Sequence, residues 1–98
     1  MVKVRPSSGN VFRNLGFAPE EAENLKLRAD LMIELRRLME ARGLTQAQAA
    51  KLLGVTQPRI SDLVRGKINL FSIDMLVAML GRAGLHVTLA VRRKARVA

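Results

Sequence analysis

The chain has 98 residues and a formal net charge of +9; 49% of its residues are apolar, 3% aromatic, and it has no cysteine and one histidine, His86. That is one small domain whose core must be built from Leu, Ile, Val, Met and Ala. The composition excludes disulfides, iron–sulfur clusters and thiol chemistry, and with one histidine it all but excludes a histidine-based zinc site or a Ser-His-Asp triad.

No apolar run approaches the ~18–20 residues of a membrane span, and no apolar segment follows Lys3 and Arg5 to make a secretion signal. The expectation is a cytoplasmic protein with no membrane partner. The charge is uneven. Residues 1–41 hold seven Lys/Arg and six Asp/Glu, a net of +1, whereas residues 42–98 hold ten Lys/Arg and two acids, Asp62 and Asp74, a net of +8. A polyanion is the natural partner for the second part; solubility charge is the plainer alternative.

In chain order, residues 1–10 read as a flexible arm, broken by Pro6, Ser7, Ser8 and Gly9. Val11, Phe12, Leu15 and Phe17 then form a turn or helical hook. Pro19, with Glu20 and Glu21 behind it, suits the first turn of a helix over 19–42, continuous or broken near Leu25. Leu31, Leu35, Leu38 and Arg42 share one face of it, and Gly43 ends it as a left-handed cap. Thr45 caps a short helix over 46–53, with Gln48 placed to complete a capping box. Gly54 ends that helix, Val55 plugs the gap, and Thr56 caps a third helix over 57–65, which stops at Gly66. Pro58 is tolerated in its first turn. Ser72 caps a fourth helix that runs to Arg82, with Asp74 complementing its dipole and Phe71 stapling to Leu76. Leu85, Val87, Leu89 and Val91 alternate with His86, Thr88, Ala90 and Arg92, which is a strand pattern. This strand is read as the single one in the chain. It must pair with a second copy, with a partner, or with an extended N-terminal segment.

The segment 45–67, TQAQAAKLLGVTQPRISDLVRGK, carries the function. Two short capped helices flank a tight glycine turn. Ala49 and Ala50 allow close approach, and Val55, Ile60 and Leu63 fall where a two-helix unit needs core. This is a helix-turn-helix. In that motif the N-terminus of the first short helix aims amides at a phosphate, and the second lies in the major groove.

Residues 45–67 resemble the Xre/Cro-type repressor family. A longer span, about 10–92, is similar to the HigA-like antitoxins of type II toxin–antitoxin systems. The shared features are Asn10-Val11-Phe12, Leu15-Gly16-Phe17, Leu44 to Ala50, Gly54, Gln57 to Ser61, Leu63, Arg65-Gly66-Lys67, Phe71-Ser72 and the closing strand. The resemblance implies a mainly α, lambda-repressor-like bundle of about five helices with one C-terminal strand. It divides the chain into an arm and hook (1–18), the helix-turn-helix domain (19–84), a dimer or partner strand (85–92) and a basic tail (93–98). It further implies a homodimer on double-stranded DNA, no cofactor, and a RelE-like toxin as second partner; the 1–30 region is the candidate segment for the toxin, because the helix-turn-helix does not need it. By position, Gln46 matches a phosphate-binding glutamine and Gln57 a base reader. Thr56, Pro58, Arg59, Ser61 and Asp62 match groove-facing positions, with Arg59 and Ser61 turned outward. Arg65, Lys67 and Asn69 match the loop that flanks the backbone.

Three departures stand out: Ala49 where many phage repressors carry Leu, Val64 where they often carry Glu, and Pro58 in place of a base reader. Asp62 reads equally as a solvated residue or as one that orients Arg59 or Arg65. Met32, Met39, Met75 and Met79 read as core filler, and His86 as a surface residue. Arg92, Arg93, Lys94 and Arg96 form either a solvated tail or a non-specific DNA clamp. No paired carboxylates, metal-ligand cluster or phosphate loop supports an enzyme. A stand-alone repressor without a toxin, and an interaction domain that has lost DNA binding, remain as alternatives.

Overall fold

The computed structural model describes residues 2–4, 12 and 15–93, so the readings of residues 5–11 and 94–98 lie outside the described residues. The first long helix, α1 (Pro19–Ala41), starts with Pro at its first position and carries Glu20 and Glu21 in its first turn. Pro cannot use an N–H there, and the carboxylates face the positive end of the helix dipole. Leu, Met, Ala, Arg and Glu, all strong helix formers, sustain it without a break at Leu25. It ends where Gly43 takes φ +60° and Leu44 N–H donates back to Met39 O at 2.9 Å.

Three shorter helices follow: α2 (Gln46–Leu53), α3 (Gln57–Val64) and, after a 3-10 turn (Ile68–Leu70), α4 (Ile73–Arg82). Each starts on a hydroxyl cap. Thr45 Oγ1 accepts from Gln48 N–H at 3.1 Å while Gln48 Oε1 accepts from Thr45 N–H at 2.9 Å, a complete capping box. Thr56 Oγ1 accepts from Arg59 N–H to cap α3 and Ser72 Oγ from Met75 N–H to cap α4, each without the return bond because the Arg59 and Met75 side chains carry no oxygen acceptor. A helix of eight residues is unstable alone, so these caps matter, each being worth about 1 kcal/mol.

The apolar faces of the four helices meet in one core. Leu31 and Leu35 of α1, Leu53 of α2, Ile60 and Leu63 of α3, and Leu76 and Leu80 of α4 are fully buried around Phe71. Each contributes about 1.5–3 kcal/mol of hydrophobic stabilisation. Met32, Met39 and Met79 are buried with them as core filler, whereas Met75 is half-buried and packs against the edge of the core. Phe71 and Leu76 share this core, as a staple requires. In the hook, Phe12 O accepts from Leu15 and Phe17 N–H at 3.2 Å, and the Phe12 and Phe17 rings meet edge to face.

The β structure departs from expectation. Part of the arm is ordered as a strand, β1 (Val2–Val4), and the C-terminal strand β2 is three residues long, Val87–Leu89. The two pair in parallel, Val2 opposite Val87 and Val4 opposite Leu89. The chain thus has two strands among the described residues, not one, and the N-terminal segment supplies a partner for β2. The expected strand over 85–92 is trimmed at its start because Leu85 N–H is engaged by Leu80 O at 3.1 Å, closing α4. It is trimmed at its end because β1 offers only three residues to pair with. β1 also packs against α1, and β2 against α4.

Gly54, between α2 and α3, has φ +70°, and a Cβ there would lie 2.6 Å from the Arg82 guanidinium. Gly54→Ala is expected to lower unfolding stability by about 1–2 kcal/mol in urea titration. Most of this is the left-handed backbone cost, because the Arg82 tip can swing aside.

Candidate nucleic-acid interface

The turn Gly54-Val55-Thr56 sets α3 against α2 so that Ile60 and Leu63 point inward. The opposite face of α3 is thereby presented to solvent. Thr56, Gln57 and Pro58 are exposed at its first turn. Thr56 Oγ1 accepts from Arg59 N–H at 3.3 Å, so this end is rigidly defined. Ser61 and Asp62, one turn on, are half-buried. Arg65 caps the far end and is exposed, as are Lys67 and Asn69 in the segment beyond. Gln46 occupies the first position of α2 and is half-buried.

Arg59 is placed differently from the outward pose expected of it. It is half-buried and lies back against the 68–71 segment. Its Nη1 donates to Leu70 O at 3.1 Å, and its guanidinium carbon sits 5.7 Å from the Phe71 ring centroid. The reason is local. At the third position of α3 the side chain passes beside a free carbonyl and an aromatic face, both of which attract a guanidinium.

Asp62 is drawn into the same group. Its carboxylate lies 3.9 Å from Arg59 Nη1 and 3.7 Å from Lys67 Nζ. Of the two readings of Asp62, the structure shows the ion-paired one, with Lys67 rather than Arg65 as the second cation. Lys67 is brought there because Gly66, at φ +72°, reverses the chain and lets Lys67 N–H donate to Asp62 O at 3.0 Å. Arg59 and Lys67 therefore flank one carboxylate, two cations to one anion.

The structure thus joins Arg59, Asp62 and Lys67 into one cluster beside the exposed Gln57 and Pro58. Sequence reasoning missed Leu70 and Phe71 as supports of Arg59. Leu70 acts through its backbone, which leaves no side-chain signal, and Phe71 was assigned only its stapling role. Among the remaining candidates, His86 is exposed on the approach to β2, and Arg92 and Arg93 are exposed. No group of His, Cys, Asp or Glu among the described residues is arranged to hold a metal. No described helix is long and apolar enough to cross a membrane.

Two short helices joined by a tight turn at Gly54, with a polar N-terminal turn on the second, define a helix-turn-helix unit. A family of helix-turn-helix domains matches residues 11–92. An HTH-type transcriptional regulator of Haemophilus influenzae (strain ATCC 51907 / DSM 11121 / KW20 / Rd) is 34% identical over 96 residues, covering 94% of this chain and 98% of that protein. A solved structure described as an XRE family transcriptional regulator superposes with a TM-score of 0.71 at 31% identity, covering 80% of this chain and 90% of that one. The chain belongs to this helix-turn-helix family and is a DNA-binding transcriptional regulator of the XRE type.

The ion pairs of Asp62 are long and open to solvent, so they contribute little to stability. Asp62→Asn is expected to change the unfolding free energy by less than about 0.5 kcal/mol in a denaturant titration.

Proposed function

We propose that the chain is a sequence-specific repressor that binds double-stranded DNA as a homodimer, with α3 in the major groove. The observation that supports this is the exposed, capped first turn of α3, with Gln57 and Pro58 outward and Arg59 beside them, on a helix whose other face is buried. The Gln57 amide suits the N6 and N7 of adenine, and the Arg59 guanidinium the O6 and N7 of guanine. Pro58 meets a thymine methyl, Thr56 lies at the groove edge, and Ser61 reaches phosphate or a base edge. Asp62 orients Arg59 and Lys67. Gln46 holds a phosphate at the start of α2, where helix amides face the same anion. Arg65, Lys67 and Asn69 flank the backbone. Two copies place their α3 helices in successive major grooves about 34 Å apart on a near-palindrome. Repression is by occlusion of a promoter, the chain's own, in the cytoplasm.

The antitoxin role is the second part of the proposal. It is supported by the resemblance across residues 10–92 and by the hook, where Leu15 and Phe17 are 69% and 40% exposed. The 1–30 region, containing this apolar hook, would bind and neutralise a RelE-like ribonuclease. Co-expression with the product of a neighbouring gene for a small basic ribonuclease is expected to restore growth. A chain lacking a toxic neighbour is a stand-alone repressor.

The DNA reading is tested by fluorescence anisotropy against the duplex upstream of the chain's own gene and a scrambled duplex, at several salt concentrations. The promoter duplex is expected to bind about 10³-fold tighter than the scrambled one. Gln57→Ala is expected to remove about 1–3 kcal/mol of that preference. Lys67→Ala is expected to weaken both duplexes alike and to reduce the salt slope by about 1. Equal, weak binding of both duplexes, unchanged by Gln57→Ala, would sink the specific-repressor reading.

A further inference from the structure

The 68–71 segment is held between two arginines from different helices. From one side, Arg59 of α3 donates to Leu70 O and stacks on Phe71. From the other, Arg28 of α1 donates from Nη1 to Ile68 O at 3.2 Å and to Phe71 O at 3.3 Å. Arg28 is itself fixed, since its Nε donates to Asn24 Oδ1, one turn back on α1, at 2.8 Å. Three carbonyls within four residues thus receive guanidinium donors from two different helices.

This arrangement bears on recognition. An arginine that reads guanine loses rotamer freedom on binding, and one already held in place loses less. Arg59 is held along one edge by Nη1, while no described group pairs with its Nε or Nη2. That leaves the other edge of the fork for a base. The hold is only as firm as the segment that makes it. The segment is a 3-10 turn of three residues followed by one extended residue, a piece of backbone with little order of its own. The side-chain clamp that ties its two ends to the long helix comes from Arg28.

We infer that Arg28 is a positioning residue for DNA specificity: by fixing the 68–71 segment it presets Arg59, without touching DNA itself. This inference rests on Arg59 being a base reader. It says that the operator preference, and not general DNA affinity, depends on a residue of α1 that lies outside the helix-turn-helix.

The test measures the same promoter and scrambled duplexes with Arg28→Met, which keeps the apolar stem and removes the donors, and with Arg28→Lys, which restores a donor. Arg28→Met is expected to lower the promoter-to-scrambled affinity ratio about three- to tenfold and to leave the scrambled affinity and the salt slope unchanged. Arg28→Lys is expected to recover part of the ratio. In an Arg59→Ala background, Arg28→Met is expected to have no further effect. If a thermal melt shows Arg28→Met unfolded, Arg28→Gln, which retains one amide donor, replaces it with the same expectations.

A loss shared equally by both duplexes, a wild-type ratio, or a loss that persists without Arg59 overturns the inference. A measurement on the free protein separates its failure from that of the DNA reading. The Arg59 Nε–Hε signal in a 15N NMR spectrum is expected to broaden and shift in Arg28→Met. An unchanged signal overturns the inference even if Arg59 reads a base; equal binding of both duplexes by wild type defeats the DNA reading, and with it the inference.

Discussion

The burial of Phe71 is the constraint around which this molecule is organised. It is 1% exposed, the one fully buried aromatic among the described residues, and it sits at a chain position that is neither helix nor strand. Its ring closes the core between α1, α3 and α4, its carbonyl is bound by Arg28, and its face carries Arg59. A small domain built from aliphatic side chains has few ways to fix a loop. Here one phenyl ring anchors it from within while Arg28 ties its backbone to α1, and the loop then serves as the mount for a charged side chain on the surface.

The helices around it are too short to be stable separately. Their ends are therefore defined by side chains as much as by packing. Thr45, Thr56 and Ser72 satisfy first-turn amides, and Gly43, Gly66 and Gly84 reverse the chain to satisfy last-turn carbonyls. Arg42 adds a further tie, donating to Ala83 O at 3.3 Å and joining the end of α1 to the end of α4. This punctuation gives α3 its fixed tilt, which a recognition helix needs if its first turn is to meet base edges in register.

Much of this was legible from residues alone, because capping chemistry is written in sequence. The boundaries of α2 and the start of α4 follow directly from Thr45, Gln48, Gly54 and Ser72. The outward positions of Gln57 and Pro58 follow from the inward ones of Ile60 and Leu63. What was not legible depends on partners distant in sequence or on backbone atoms. The tether of Arg59 runs to a carbonyl eleven residues away, and that of Arg28 to carbonyls 40 and 43 residues away. Likewise Val2–Val4 is too short to announce a strand. An extended N-terminal segment is one of three partners open to the C-terminal strand, and the choice among them is made only once the helices between have brought Val87 alongside.

That pairing gives the molecule two tiers of order. Within the bundle, α2 packs on its neighbour α3, whereas α1 packs chiefly on α4 at the other end of the helical span, so the core itself closes through contacts distant in sequence. The β1–β2 ladder joins Val2 to Val87 and must wait until the bundle has formed. It has three residue pairs, and Thr88 and Leu89 are exposed. The ladder is accordingly the last part to close and the first to open. A ladder of three pairs joined to the bundle at its edge can open locally without breaking the core or α3. Events at the N-terminal segment can thus detach one strand without disturbing the tilt of the recognition helix.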